Sequence, residues 1–342
     1  MQPSLNQGWT YRDRVGPTDA GKTALAFYSS RHRHSDAVCW QQRLLQGQVL
    51  RAGRPLGPET PLHRGDLLLW RRPPWLEAAV PDQWQVLRDD GDLLALDKPS
   101  GLPVMPGGGF LEHTLLRLLQ RRHADDPRGV PVPVHRLGRH TSGVMLCARS
   151  ARARARLSRL FRGCSEQAGD GSREGTAKVG RAAEWGPLLK RYRALVPHNA
   201  LPLQCGESRV IRVPIGLRPH PLLGRIWCAD PPGGRPAWSR ITRLGKAEAG
   251  DVAEVLIRTG RPHQIRIHLA WFGAPLLGDP LYRVGGAVDP DHAPGDGGYH
   301  LHAHRLTLVE SGSGVLKLEA PAPQALIACA AGWLPESWGG DG

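Results

Sequence analysis

Short β-type runs, separated by Gly- and Pro-containing breaks, are the feature that most constrains how this chain can fold. They recur through the second half of the 342 residues. Their apolar side chains cluster or alternate as those of partly buried strands do. The runs are Tyr192–Val196, Val210–Val213, Ala253–Arg258, Leu306–Val309 and Val315–Leu318. They predict a mixed, largely antiparallel β-sheet with flanking helices, which is an α+β fold.

Changes in composition divide the chain into segments. We expect an N-terminal arm over 1–21, a small module over 22–72, a Pro-rich linker over 73–82, a main domain over 83–335 and a loose tail over 336–342. Within the main domain, leucine spacing predicts helices over 114–122 and 151–162. The polar, Gly-rich stretch 164–185 predicts a flexible insertion.

The small module carries two helical patterns, Thr23–Tyr28 and Ser35–Leu45, which are followed by short strands. In the second pattern, Val38, Leu44 and Leu45 fall on one face, and Arg43 lies off it. This order of elements resembles the S4 RNA-binding module, a small α/β fold.

The S4 resemblance implies RNA contacts from the second helix and its adjacent turn, where Arg31, Arg33 and Arg43 lie. The alternative interpretation is a solvated basic face with no ligand.

Charge points to a polyanionic partner. The formal net charge is +14, and arginine suits phosphate because its planar fork makes two parallel hydrogen bonds. Codon bias in a GC-rich genome can explain arginine over lysine, but it does not explain the excess of cations over acids. The charge therefore favours nucleic acid as a partner.

Cysteine usage and hydropathy indicate a cytoplasmic protein. The six cysteines contain no CxxC pair, so we expect reduced thiols rather than disulfides or a zinc site. No apolar run approaches the ~20 residues that span a bilayer, so we expect no membrane contact. No GxGxxG, P-loop or HExxH motif indicates a nucleotide or metal cofactor.

Four separated motifs carry the chemistry. They are Leu96–Val104 (LDKPSGLPV), Val134–Leu146 (VHRLGRHTSGVML), Lys190–Val196 (KRYRALV) and Arg258–Leu269 (RTGRPHQIRIHL), the last followed by Gly278–Tyr282 (GDPLY). In the second motif, Thr141 and Ser142 can tie a polar loop to its backbone. Gly143 permits close backbone approach beside a buried strand.

Together these motifs resemble the RluA-like family of RNA pseudouridine synthases, whose patterns include HRLDxxTSG, KxYxAhV and TGRxHQIRxHhA. A segment near Leu301–His304 resembles the LHA segment that follows in the family. The resemblance implies an enzyme that flips a uridine out of rRNA or tRNA and isomerises it to pseudouridine. It implies no cofactor and no metal, and a monomer.

The resemblance also assigns roles to residues. Tyr192 is expected to pack on the flipped base, and Arg266, with Arg261 second, to pair with the catalytic acid. Arg136 is expected to enter the RNA where the uridine leaves the stack. The expected catalytic residues are Tyr192 and Arg266; those expected to bind RNA in this domain are Arg136, Arg139, Arg261 and Lys190.

The position where the family keeps its catalytic aspartate holds Gly138. Three outcomes stay open: an inactive RNA-binding protein, another carboxylate in the site, or a subfamily whose chemistry differs. A buried Arg266 without its partner would be costly, so we expect a substitute anion, either another acid, an RNA phosphate or a solvent anion. Asp97 and Asp279 are interpreted as structural.

Two further alternatives have less support. His263 and His268 could bind zinc, but no third ligand is evident. A small-molecule enzyme with an incidental basic surface would bind no RNA, whereas phosphate contacts give a steep salt dependence.

Overall fold

The computed structural model describes residues 1–166, 187–229, 233–310 and 314–329. The chain forms two units. The N-terminal unit comprises residues 2–79 and 218–226, and the main unit comprises residue 1 with 80–217 and 227–342. Most of the insertion expected over 164–185, and the whole tail expected over 336–342, lie outside the described residues.

The N-terminal unit contains two helices and two small sheets. Its strands are β1 (Ser4–Leu5), β2 (Trp9–Arg14), β3 (Val49–Arg51), β4 (Arg54–Pro55), β5 (Leu67–Arg72) and β6 (Leu76–Glu77), and its helices are α1 (Ala24–Arg31) and α2 (Ala37–Leu45). One sheet has the order β2-β5-β3-β4, and β1 pairs with β6. Side-chain oxygens of Thr23 and Asp36 accept backbone N–H groups at the starts of the two helices, which explains where the helices begin.

The segment expected as an N-terminal arm over 1–21 contains β2, which pairs antiparallel with β5. The strand was not evident from the sequence because one of its buried residues is Asp13, whose carboxylate forms hydrogen bonds with Arg31 and His32. The sequence therefore lacks the alternation of apolar and polar residues that identifies a strand. The Pro-rich stretch from residue 73 likewise contributes β6 to this unit.

The main unit is built on a ten-stranded sheet in the order β12-β15-β16-β11-β17-β10-β8-β7, with β18 beside β17 and β9 beside β10. Its strands are β7 (Gln85–Asp89), β8 (Leu93–Lys98), β9 (Val132–Pro133), β10 (Thr141–Ala148), β11 (Leu188–Val196), β12 (Ser208–Ile211), β15 (Ser239–Lys246), β16 (Asp251–Ile257), β17 (Leu301–Glu310) and β18 (Gly314–Glu319). A separate hairpin is formed by β13 (Ile215–His220) and β14 (Gly224–Ala229). The helices are α3 (Leu115–Arg122), α4 (Ala151–Glu166) and α5 (Gln264–Trp271).

The predicted mixed, largely antiparallel sheet is confirmed. Strands β10 and β17 run parallel, and the other pairings described for this sheet are antiparallel. All eight residues of β10 are buried, as expected for a central strand with apolar packing on both faces. Gly143 makes the parallel pairing possible, because a Cβ at that position would lie 2.3 Å from the Ala303 carbonyl oxygen.

Candidate active site

The motif segments, although far apart in the chain, meet in the main unit. Lys98, at the end of β8, is fully buried and donates hydrogen bonds from Nζ to the carbonyl oxygens of Pro99 (2.8 Å), Leu102 (2.9 Å) and Arg139 (3.2 Å). Burial lowers the pKa of Lys98 to about 7, against the opposing charge of Asp97. This one side chain therefore joins the first motif to the loop of the second.

Strand pairing brings the remaining motifs together. The start of β10 runs beside the start of β17, with Thr141 opposite Leu301. On the other side of β17, Tyr192 of β11 is opposite Ala303. Lys190 donates a hydrogen bond from Nζ to the Thr259 carbonyl oxygen at 3.1 Å, and this bond ties the third motif to the fourth.

Arg266, on α5, has a partner in this structure. Its Nε and Nη2 donate to the two carboxylate oxygens of Asp279 at 2.7 and 2.8 Å, and its Nη1 donates to the Pro294 carbonyl oxygen at 3.0 Å. The Asp279 carboxylate also accepts backbone N–H groups from Leu281 and Tyr282. The substitute anion expected for Arg266 is therefore another acid, and it is Asp279.

Two tyrosines enclose this ion pair. The Arg266 guanidinium lies 4.3 Å from the ring centroid of Tyr299 and 4.9 Å from that of Tyr282. Stacking of this kind stabilises a partly desolvated cation. The Tyr282 hydroxyl donates to the Trp227 carbonyl oxygen at 2.8 Å and lies 2.7 Å from His263 Nδ1, so its hydrogen bonds are made.

Tyr299 also occupies the space next to Gly138. A Cβ built on Gly138 would lie 2.3 Å from the Tyr299 hydroxyl and 3.2 Å from the Oγ1 of Thr141. Gly138 itself is exposed, whereas Tyr299 is buried. A side chain at position 138 and the present position of Tyr299 are therefore mutually exclusive.

His263, in the fourth motif, adopts a left-handed backbone conformation with φ 56° at the start of α5. This conformation is uncommon for a residue with a side chain, and it persists only where the surrounding structure holds the backbone in place. Burial, then the charge of Arg266 and more weakly that of Arg136, lower the pKa of His263 to about 3, against the opposing charge of Asp279. The site is thus locally electropositive around a neutral imidazole.

Tyr192 lies between two apolar clusters, one with Tyr299 and Ile265 and one with Leu96 and Leu137. Burial raises the pKa of Tyr192 to about 12, so its phenol is protonated at neutral pH. Tyr192 and Tyr299 therefore share one cluster, and Tyr299 contacts Arg266, so the two expected catalytic residues belong to one region.

The arginines expected to bind RNA in this domain differ in exposure. Arg136 is exposed. Arg139 is half-buried, stacks 4.6 Å from the Phe110 centroid and donates to the Gly101 carbonyl oxygen. Arg261 donates from Nε to the Pro236 carbonyl oxygen at 2.9 Å.

Lys190, which was also expected to bind RNA, lies inside the main unit. It is 5% exposed and donates to a protein carbonyl, and its assignment to RNA binding stays a prediction. Its position on a central strand, covered on both sides, places its ammonium group inside the protein.

The N-terminal unit positions the other expected RNA contacts. Arg31 pairs with Asp13 at 3.1 Å, and Arg33 is exposed. Arg43 stacks against the rings of Trp40 and Trp70, at 4.5 and 4.8 Å from their centroids.

Sequence reasoning missed the part that Tyr299 plays and treated Asp279 as structural only. The GDPLY motif contained the signal for Asp279, because an acid in a turn near a basic helix is a candidate partner. Nothing in the sequence around Tyr299 signals a site residue, because it follows a run of Gly and Asp in a loop. Within the described residues, no group of His, Cys, Asp and Glu could hold a metal ion.

The fold and the site define an α+β domain in which separated motifs surround a buried arginine. A family model described as RNA pseudouridylate synthase matches residues 92–271. RNA pseudouridine synthase 5 of Arabidopsis thaliana is 36% identical, covering 95% of each chain, and an uncharacterized RNA pseudouridine synthase of Synechocystis sp. is 42% identical, covering 89% of this chain and 95% of that protein. Ribosomal large subunit pseudouridine synthase D of Nitrosomonas europaea is 32% identical over 71% of this chain and 63% of that protein. The chain belongs to the RNA pseudouridylate synthase family.

Among the residues that the structure describes, we find no helix that is both long and apolar enough to cross a membrane.

Proposed function

We propose that this protein isomerises uridine to pseudouridine in RNA and that ribosomal RNA is its substrate. The observation that carries the proposal is the convergence of the family's separated motifs around the Arg266–Asp279 pair. The choice of ribosomal RNA rests on the relative named for the large ribosomal subunit. Transfer RNA is the alternative that the experiment compares.

The exposed residues of the main unit indicate how RNA would bind. Arg136 lies in an exposed loop close enough to His263 for its charge to lower that residue's pKa. We assign it the contact with RNA where the target uridine leaves the stack. Tyr192 would pack on the base, and the paired Arg266 would supply positive charge without being exposed to bulk water.

The N-terminal unit would add affinity through arginine and aromatic side chains. A cavity of about 780 Å³ is lined by Trp9, Tyr11, Arg12, Arg71 and Arg72 together with neighbouring backbone. Trp9 is 46% exposed, and the Arg72 guanidinium lies 3.5 Å from the Trp75 centroid. Exposed rings beside guanidinium groups suit unpaired nucleotides, because bases stack on the rings while arginine binds phosphate.

Electrostatics within this unit support the same conclusion. Partial burial, His32, and then Arg43 and Arg72 lower the pKa of His34, so several cationic groups act on one ring. Arg31 and Arg33 extend the positive surface from α1. We therefore assign RNA binding to Arg31, Arg33 and Arg43 and extend it to Trp9, Arg71 and Arg72.

The activity test measures tritium release from RNA labelled at uracil C5. Ribosomal and transfer RNA transcripts are incubated separately with the full chain. We expect release from ribosomal RNA. Release from transfer RNA alone would contradict the substrate assignment, and tight RNA binding without release from either would identify an inactive RNA-binding protein.

The binding test measures RNA affinity against salt concentration. Arg71→Ala should weaken binding and reduce the salt slope by about 0.7 for one lost phosphate contact on single-stranded RNA. Arg54→Ala, an exposed arginine on β4 at the other edge of the same sheet, is the matched control. Equal effects of the two changes would show that the cavity lined by Trp9, Arg71 and Arg72 has no special role in RNA binding.

A further inference from the structure

Gly138 carries no carboxylate, so a base for the isomerisation must come from another residue. The reaction replaces the C1′–N1 bond of uridine with a C1′–C5 bond. Breaking the first bond places an electron pair on uracil N1. If a basic group lies beside the ribose, it can remove a proton from C2′, and the C2′–H electron pair then forms a C1′=C2′ bond as uracil leaves.

The groups around Arg266 differ in whether they can act as that base. Both oxygens of Asp279 bind the guanidinium, and one also accepts two backbone N–H groups. The Tyr282 hydroxyl is held by His263 and the Trp227 carbonyl. Neither group can leave its partners without breaking the ion pair or the start of α5.

Tyr299 is held less firmly. Within the described residues, its hydroxyl meets the Oγ1 of Thr141 at 3.5 Å, which is longer than the usual O–H···O distance of about 2.5–3.0 Å. Its ring lies 4.3 Å from the Arg266 guanidinium, so the hydroxyl stands beside the buried ion pair.

Gly138 places no side chain over this hydroxyl. The hydroxyl lies 2.3 Å from the point where a Cβ on Gly138 would be, and Gly138 is exposed. Any side chain at this position would cover the hydroxyl or displace it. The absence of a side chain at residue 138 and the position of Tyr299 are therefore two parts of one arrangement.

We propose that Tyr299 is the catalytic base of this enzyme, acting from the place that a side chain at position 138 would otherwise occupy. Its ionised hydroxyl, having lost its proton to solvent, takes the proton from ribose C2′. The C2′–H electron pair forms the C1′=C2′ double bond, and uracil leaves with the electron pair of the C1′–N1 bond.

The second half of the reaction returns the proton. After the base turns, its C5 bonds to C1′, and the C1′=C2′ electron pair takes back the proton that Tyr299 holds. The proton on C5 then leaves to solvent, and N1 takes a proton from solvent. Atoms and charges balance with no oxidant, reductant or cofactor, and the C5 proton is the one that the tritium assay detects.

The inference rests on the proposed function, and its test uses the full chain with the same labelled RNA. Tyr299→Phe keeps the ring against Arg266 and removes the hydroxyl. We expect a loss in kcat of at least about 100-fold, the usual contribution of a base, with the RNA dissociation constant and Tm unchanged. The matched control is Tyr28→Phe, a buried tyrosine of the N-terminal unit whose hydroxyl has no hydrogen-bond partner among the described residues. It should keep full activity.

A second variant tests the shared space. Gly138→Asp alone should lose activity because its Cβ collides with the hydroxyl. In Gly138→Asp combined with Tyr299→Phe, the nearest ring atom is Cζ, at an ordinary 3.6 Å. We expect this double variant to exceed Tyr299→Phe in kcat, because a carboxylate then occupies the place of the hydroxyl.

Three results would overturn the inference or its foundation. Wild-type activity that survives Tyr299→Phe within tenfold would remove Tyr299 as the base and leave the proposed function intact. A double variant no more active than Tyr299→Phe would refute the shared position. No release by the wild-type protein on any RNA would instead overturn the proposed function, and this inference with it.

Discussion

Replacing Asp279 with alanine tests whether the Arg266–Asp279 pair holds the site together. The Arg266 and Asp279 side chains are 3% and 0% exposed, so the change leaves a desolvated guanidinium with the Pro294 carbonyl as its hydrogen-bond acceptor. Breaking a buried pair on one side costs about 3–5 kcal/mol. For a unit of this size, that corresponds to a fall in Tm of about 6–20 °C.

The matched control is Glu319→Ala, which breaks an equally bidentate pair at the surface. Arg305 donates to Glu319 at 2.8 and 3.1 Å, but the two side chains are 49% and 51% exposed. Water screens that pair, and its loss should cost under about 1 kcal/mol. Urea denaturation followed by circular dichroism gives both free energies of unfolding.

A third variant separates charge from packing. Arg266→Met combined with Asp279→Leu removes both charges, and it should recover most of the stability lost in Asp279→Ala, because no unpaired charge remains buried. If Asp279→Ala and Glu319→Ala cost the same, or if the double variant is no more stable than Asp279→Ala, the account of Arg266 as a desolvated, paired cation is wrong.

Three further predictions concern stability. Burial lowers the pKa of His268 to about 4 from an ordinary 6.5, so the stability that it contributes is complete above pH 6.5 and is lost as the pH falls to 4. Over that range, the free energy of unfolding of the wild type should fall by about 3 kcal/mol relative to that of His268→Gln, measured by urea titration. A difference between the two proteins that does not change with pH would contradict this. Lys98→Met should lower the free energy of unfolding by at least about 2 kcal/mol because three carbonyls lose their donor. The control is Lys246→Met, at an exposed lysine, and an equal loss of unfolding free energy in the two variants would refute the prediction. Gly143→Ala should cost about 3 kcal/mol or more in thermal unfolding, because its Cβ would collide with the backbone of β17. Gly91→Ala, at a similar φ but with nothing within 4 Å, should cost only about 1–2 kcal/mol, and a Gly143→Ala cost no larger than this would rule out the collision.

The sequence was sufficient to predict those elements whose formation depends on residues close together in the chain. Helices α1 and α3 begin beside the threonines at 23 and 114, whose side chains accept a backbone N–H three residues on. The strands β8 and β10 are apolar runs bounded by turns, and Gly143 was expected to permit the close backbone approach that the structure contains.

Interpretation from periodicity failed where packing determines which face is buried. On α2, apolar spacing placed Val38 and Leu45 on one face with Leu44, but Val38 and Leu45 are 62% and 69% exposed. The buried side chains are Trp40 and Leu44, because Trp40 packs between Tyr28 and Trp70. The packing of one large aromatic side chain, rather than the spacing of the apolar residues, therefore determines which face of α2 is buried.

Helix α5 had no amphipathic signal to find. Residues 264–270 are all buried, polar and apolar alike, so the segment lacks the alternation that identifies a surface helix. The motif placed Arg266 and His263 in one segment, but only the fold determines that His263 adopts φ 56° and that Arg266 points to an acid.

The sequence by itself determined the class of fold, the family and the identity of most motif residues, because these depend on local propensity and on short patterns. Only the tertiary structure decided the partners. Asp279 lies 13 residues from Arg266, and Tyr299 lies 158 residues from Thr141, so these contacts form only when loops and strands pack. Contacts across such distances depend on how the whole fold packs.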